Sequence, residues 1–247
     1  MSKVGLLQFD PTVGDLEQNC RRLTALAEQA ERSGADVGVS TELAVCGYPP
    51  RDLLMERDFI HRSMDAALGI KTAIPVLIGT PIPAADERTL PTNGVVRSGP
   101  TSGSITDDVQ SRIVAEKQLL PTYDVFDEAR YFAAKNRSGL ARSIGGLTLG
   151  VTVCEDAWQS AGLTPSNYAQ DPIEHIAEWC RQGVAMDATV NLSPSPFHNE
   201  KFSTRLAVAR HAAAVLNHPF LLANQVGGND DLLFDGGSLV AWPDGRA

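Results

Sequence analysis

The chain has 247 residues, 43% of them hydrophobic and 21% charged, with a formal net charge of −9. That make-up fits a globular protein of one large domain over 1–247, with two small domains as the alternative. An acidic balance without a Lys or Arg cluster argues against nucleic acid or an anionic membrane as partner. No apolar run reaches the length of a membrane span, and cysteines at 20, 46, 154 and 180 without CxxC spacing read as reduced thiols of a cytoplasmic protein, not as a disulfide frame or zinc site.

Strand and helix signals then alternate. The opening Met1-Ser2-Lys3-Val4-Gly5-Leu6-Leu7 runs straight into a strand expected over 3–9, so no signal peptide is expected. Residues 15–33 predict a helix with Asp15 near its start and Leu16, Cys20, Leu23, Leu26, Ala27 and Ala30 on one face. Residues 36–40 read as a strand, 51–69 as helical, and 74–79 as a strand flanked by Pro75 and Pro81. The stretch 92–116, richer in Gly, Ser and Thr, predicts antiparallel hairpins. A strand over 147–153, a helix over 169–182, a strand over 186–191, an amphipathic helix over 200–217 and strands at 220–224 and 236–242 complete the series. Helices separated by short strands imply an α/β protein with helices covering sheet faces. There is no internal repeat, and the turn-rich 81–104 is no domain linker.

Chemistry concentrates where strands end. Cys154 closes the run Gly150-Val151-Thr152-Val153 and opens a polar turn, Glu155-Asp156-Ala157-Trp158. A thiol at a strand's carboxyl end has a fixed backbone on one side and an accessible side chain on the other, as a nucleophile needs. Glu42 follows the strand at 36–40, and Lys117 follows Ile113-Val114-Ala115-Glu116. If these strands share one sheet, a carboxylate, an ammonium and a thiol meet above its edge. The carboxylate then takes the thiol proton, and the ammonium favours the thiolate and later an oxyanion, with the Glu155 main-chain N–H as second donor. Such a set suits hydrolysis of an amide or nitrile through a thioester. The spacings alone leave the plainer readings open: a Cys buried in a core, a Glu capping a loop and a Lys on a solvated face.

Four segments carry a resemblance. They are Thr41-Glu42-Leu43-Ala44-Val45-Cys46-Gly47-Tyr48-Pro49-Pro50-Arg51-Asp52-Leu53-Leu54, Lys117-Gln118-Leu119-Leu120-Pro121-Thr122-Tyr123 on to Glu128-Ala129-Arg130-Tyr131-Phe132, Cys154-Glu155-Asp156-Ala157-Trp158, and Asn191-Leu192-Ser193-Pro194-Ser195-Pro196-Phe197-His198 with Asn224-Gln225-Val226-Gly227-Gly228-Asn229 and Phe234-Asp235-Gly236-Gly237-Ser238. In this order they resemble the nitrilase, or carbon–nitrogen hydrolase, superfamily across nearly the whole chain. Within it they are most similar to the N-terminal glutaminase domains of glutamine-dependent NAD synthetases. The resemblance implies an α/β fold of four αββα layers, pairing of subunits into homo-oligomers, and a Glu-Lys-Cys triad. Carried over, Glu42 is the general base, Lys117 the oxyanion-stabilising cation, Cys154 the nucleophile and Glu128 the acid that orients the lysine. Tyr123, Ser195 and Lys201 match glutamine-binding positions, and Tyr48 and Trp158 match pocket-wall positions.

Plainer roles stand beside these. Tyr48 also suits bracing of the Gly-Tyr-Pro-Pro turn, Trp158 core packing, Lys201 a solvated helix start, and Glu128 a pair with Arg130 or Arg137. His198, His211 and His218 are scattered and point to no metal site. Val226-Gly227-Gly228-Asn229 lacks the strand–GxGxxG–helix context of a dinucleotide loop. Two positions depart from the family pattern: Ser40-Thr41 stand where Phe-Pro is common, and Glu200 where Gly is usual before Lys201.

The resemblance implies hydrolysis of glutamine to glutamate and ammonia, without a cofactor for that step. The synthetase half of such enzymes, which would hold ATP and Mg, carries a Ser-Gly-Gly-x-Asp-Ser phosphate loop, and this chain has none. The closing Trp242-Pro243-Asp244-Gly245-Arg246-Ala247 reads as the middle of a hairpin, so an incomplete C-terminus is expected, with a synthetase domain acting in cis or in trans. A free-standing amidase on another amide, carbamoyl or nitrile substrate and a non-catalytic assembly partner are the alternatives.

Overall fold

The structure, a computed structural model, describes residues 2–86, 88–100, 108–135 and 139–247. The chain runs β1 (Val4–Leu6), α1 (Leu16–Arg32), β2 (Val37–Val39), α2 (Arg57–Gly69), β3 (Val76–Ile82), β4 (Thr92–Ser98), α3 (Val109–Arg112), β5 (Ile113–Glu116), β6 (Gly139–Ile144) and β7 (Leu147–Val153). It continues through α4 (Pro172–Arg181), β8 (Ala188–Ser193), α5 (Lys201–Leu216), β9 (Phe220–Asn224), β10 (Val226–Asn229), β11 (Leu232–Asp235) and β12 (Leu239–Ala241).

The strands form two five-stranded sheets, ordered β1-β2-β3-β4-β5 and β12-β9-β8-β7-β6, and the hairpin β10-β11. In the first sheet β1, β2 and β3 run parallel from one edge and β4 and β5 follow antiparallel; in the second, the parallel β7, β8 and β9 form the centre, flanked by antiparallel β6 and β12. The sheets pack face to face. Val37, Val39, Leu77 and Val95 of the first and Leu149, Val151, Val190 and Leu192 of the second share one buried cluster. On the outer face of the first sheet, Leu23 and Ala27 of α1 and Met64 and Ala67 of α2 meet Val76, Ile78 and Val96. On the outer face of the second, Ile173 and Ile176 of α4 and Val208 and Ala212 of α5 meet Phe220 and Leu222. The result is the four-layer αββα sandwich.

Most predicted elements are present with trimmed ends. Asp15 caps α1 by accepting from the Gln18 N–H at 3.1 Å. The expected helix 169–182 begins at Pro172 because Asp171 accepts from the N–H groups of Ile173 and Glu174, and proline suits the first helical position. The expected strands 3–9 and 236–242 pair over three residues each. The helical stretch 51–69 is broken: Arg51–Met55 is a 3-10 turn, Glu56 is extended, and α2 follows. The break lets Leu54 and, beyond it, Phe59 and Ile60 pack into the same cluster as Tyr48.

Pro81 does not flank β3 but lies inside it, opposite Asn93. The pairing of β2 with β3 stops at Leu77, so no partner requires a donor at Pro81. The hairpin expected over 92–116 forms between β4 and β5, while its residues 101–107 lie outside the described part. Two further hairpins had no counterpart among the expected elements. One is β6-β7, turned by Gly145-Gly146 with φ of +56 and +78, and the other is β10-β11. Among the described residues no helix is long and apolar enough to cross a membrane.

The expectation that Glu42, Lys117 and Cys154 project from one shared sheet is corrected. β2 and β5 belong to the first sheet, whereas β7 belongs to the second. The three meet because the sheets stack with these strand ends on the same rim.

Candidate active site

The first sheet supplies the charges. Glu42 follows β2, and its loop is drawn over the sheet: a Cβ placed on Gly79 of β3 would come within 2.5 Å of the Thr41 carbonyl and 2.6 Å of the Leu43 N–H nitrogen. Gly79 is therefore the residue that lets this loop lie down. Ser40 secures it from the other side, accepting from the Gly79 N–H at 3.0 Å and donating to the Thr41 carbonyl. Ser40 thus forms polar bonds where the family pattern has an aromatic. Lys117 leaves β5 with its N–H on the Asn93 carbonyl of β4.

Both side chains are fully buried. The Lys117 ammonium donates to Glu42 Oε1 at 2.8 Å and to Glu128, whose oxygens lie 2.8 and 2.7 Å away. Asn93 Nδ2 donates to the same Oε1 of Glu42, while Oε2 has no hydrogen-bond partner among the described residues. The Tyr48 hydroxyl donates to Glu128 at 3.0 Å. Glu128 therefore serves Lys117, while Arg130 pairs with Asp52 at 4.0 Å; Arg137 lies outside the described residues. Burial raises both carboxyls against the pull of Lys117, Glu128 to about 7. Burial alone would lower the Lys117 ammonium, but Glu128 and Glu42 together hold it well above its ordinary value.

The second sheet supplies the thiol. Cys154 is 5% exposed and sits at the end of β7 with φ of +43, in the left-handed region. Asn191 of β8 donates to its carbonyl at 3.2 Å, and the Ser193 hydroxyl donates to its sulfur at 3.5 Å. The thiol and the Glu42 carboxylate are close enough for each to shift the other's acidity. Burial, and then the charge of Glu42, push the thiol well above its ordinary pKa, and Lys117 only partly offsets them. Lys117 pulls toward the thiolate, in the direction expected, but burial and then the charges of Glu42 and Glu128 outweigh it. The 3-10 turn 154–157 starts here, so the Glu155 N–H, among its first donors, has no partner inside the turn.

Beside the thiol lies a second set of charges. The Glu155 carboxylate accepts from the hydroxyls of Tyr123 (3.0 and 2.9 Å), Thr164 (2.6 Å) and Tyr168 (3.2 Å). Burial and then Glu155 raise both phenols, Tyr168 to about 12. The Lys201 ammonium stands 4.3 Å above the centre of the Trp158 ring. Burial lowers its pKa, and the groups it interacts with include Cys154 and Glu155. Trp158 is also a core residue, packed with α4 and α5, so both readings of it hold. Glu200 is exposed and its backbone is left-handed, φ +66, which is why glycine suits the position and why this carboxylate stays out of the site. The Ser195 hydroxyl is buried and without a partner among the described residues; its N–H donates to Asn224 Oδ1 at 2.8 Å.

The histidines stand apart from this cluster: His198 is bonded to the Asn199 carbonyl, His211 to Ser160 and His218 to Thr189. Sequence reasoning missed Asn93, Ser193, Asp156 and the side-chain role of Glu155. A glycine inside the apolar strand Val76–Ile82 was the legible signal for Gly79; Asn93 had none.

The carbon-nitrogen hydrolase family model matches residues 3–247. The glutamine-dependent NAD(+) synthetase of Synechocystis sp. is 35% identical over 100% of this chain and 43% of its own length. That of Thermotoga maritima is 33% identical over 96% of this chain and 38% of its own. The chain therefore spans about two fifths of these curated relatives. Among solved structures, a glutamine-dependent NAD+ synthetase from Acinetobacter baumannii in complex with ADP superposes with a TM-score of 0.79 at 27% identity, over 99% of this chain and 42% of that one. A mutant amidase of the nitrilase superfamily from Nesterenkonia AN1 superposes with a TM-score of 0.74 at 19% identity, over 99% of this chain and 84% of that one.

Proposed function

Because the chain belongs to the carbon–nitrogen hydrolase family, we propose that it cleaves the side-chain amide of glutamine through a thioester on Cys154, as the ammonia-supplying part of a glutamine-dependent NAD synthetase. The observation that carries the glutamine reading is the pairing of opposite charges beside the thiol. A carboxylate, Glu155, follows Cys154 in the chain and accepts from Tyr123, and an ammonium, Lys201, interacts with both Cys154 and Glu155. An amino acid offers an ammonium and a carboxylate to match them; a simple amide offers neither.

In this mechanism Glu42 takes the thiol proton as the sulfur attacks the amide carbon. Proton transfer to Glu42 accompanies the attack, since burial and the charge of Glu42 disfavour a free thiolate. The developing oxyanion is stabilised by the Lys117 ammonium and the Glu155 N–H. Loss of one such donor typically costs about 10²–10³ in rate. Ammonia leaves with the proton from Glu42, and water, deprotonated by the same carboxylate, releases glutamate and returns the thiol. Glu128 and Tyr48 keep the lysine charged and aimed. The family relatives named for NAD synthesis support the wider role, in which a separate synthetase region uses the ammonia.

The test is ammonia release from L-glutamine compared with butyramide, in the chain and in Cys154→Ala. Release from glutamine alone, lost in Cys154→Ala, is expected. Equal release from both amides would reject glutamine specificity, and turnover by Cys154→Ala would reject the thioester.

A further inference from the structure

Asp156 is 2% exposed, carries a carboxylate and takes no part in the proposed chemistry. Its Oδ1 accepts from the main-chain N–H groups of Gln118 and Leu119, both at 3.0 Å, and its Oδ2 accepts from the Val153 N–H at 3.1 Å. Gln118 and Leu119 directly follow Lys117, in the loop that leaves the first sheet. Val153 directly precedes Cys154, at the end of a strand of the second sheet. One side chain therefore holds the backbone on both sides of the sheet-to-sheet divide, one residue from the thiol and one or two from the ammonium.

The geometry points to Asp156 as a positioning residue that sets the spacing between Lys117 and Cys154. Apart from the Tyr123–Glu155 hydrogen bonds, the sheets are joined there by an apolar core, and apolar burial is non-directional, so it fixes how close two faces lie better than their registration. Directional, charge-assisted bonds fix registration. Lys117 itself is tied to the first sheet by its N–H on the Asn93 carbonyl, and its own carbonyl accepts from the Lys135 N–H in the segment that leads to β6. The Cys154 turn is tied to the second sheet by Asn191. Asp156 joins these two ties. Three N–H donors converge on it, and a carboxylate can accept all three. An asparagine offers one acceptor oxygen, enough for Gln118 and Leu119, and turns an NH2 toward the Val153 N–H. An alanine removes all three of these bonds.

The inference rests on the amidohydrolase reading for its kinetic arm only. Ammonia release from glutamine is measured in the chain, in Asp156→Asn and in Asp156→Ala. In parallel, the pH midpoint of Cys154 alkylation by iodoacetamide is followed with the other thiols replaced. Circular dichroism establishes the folded fraction, and kcat is referred to it. Expected are a kcat lowered about 10²-fold in Asp156→Ala, as for a misplaced reacting group, an intermediate kcat in Asp156→Asn, a KM within about threefold, and an alkylation midpoint shifted upward as Lys117 moves off the thiol. Unchanged kcat per folded molecule with an unchanged alkylation midpoint would overturn the role. If the unsubstituted chain releases no ammonia, the amidohydrolase reading fails, and the alkylation midpoint alone decides whether Asp156 positions Lys117.

Discussion

Lys117 Nζ lies 2.8 Å from Glu42 Oε1, with neither side chain exposed to solvent. Two carboxylates, Glu42 and Glu128, thus share one ammonium in the interior. Removing the ammonium leaves two buried anions facing each other. Lys117→Met, which keeps the length of the stem, is expected to lower stability by about 3–5 kcal/mol. Adding Glu128→Gln is expected to return part of that loss, since one of the two uncompensated charges disappears. Urea unfolding of the three proteins checks this; a double variant no more stable than Lys117→Met would show that repulsion is not the source.

The thiol responds to the same charges in the opposite sense. Glu42 raises the Cys154 pKa and Lys117 lowers it. Neutralising the first while keeping the second favours the thiolate, so Glu42→Gln is expected to lower the pH midpoint of Cys154 alkylation even as it removes the proposed base. Alkylation gains roughly tenfold, at pH values below the midpoint, for each unit the midpoint falls. Turnover and thiol acidity then part company: the variant carries more thiolate and hydrolyses less amide. A midpoint equal to or above that of the unsubstituted chain would contradict the charge balance described for the site.

Backbone proximity gives a third expectation. A methyl group on Gly79 would meet the Thr41 carbonyl at 2.5 Å and the Glu42 Cα at 2.9 Å. These are main-chain atoms and cannot swing aside, so the Glu42 loop must lift. Gly79→Ala is expected to cut kcat for amide hydrolysis by about 10²-fold, the usual cost of a displacement near 1 Å. Comparing kcat with the folded fraction by circular dichroism separates displacement from unfolding.

Local pattern made much of the fold readable. The period of Leu23 and Ala27 with their neighbours, together with Asp15, placed α1, and the β-branched run ending at Val153 placed β7 to the residue. Strand partnership was not readable, because it joins residues far apart in the chain: β5 pairs with β4 and β7 with β8, and only their stacking brings Lys117 near Cys154. The hairpin β6-β7 was overlooked although Gly145-Gly146 announces its turn. The site divides the same way. Residues at strand ends, Glu42, Lys117 and Cys154, stood out by position, whereas Asn93, Ser193 and Asp156 take their meaning from atoms on other elements.

Cys154 holds a φ of +43, a conformation that glycine adopts freely and a side chain resists. The tension is of order 1–3 kcal/mol, and it falls on the one position where the proposed chemistry requires a sulfur atom. Pressure for robustness alone would replace that cysteine by glycine, relaxing the bend and silencing the chain. The surrounding scaffold must therefore hold a reserve of cohesion large enough to keep its working residue in an uncomfortable posture.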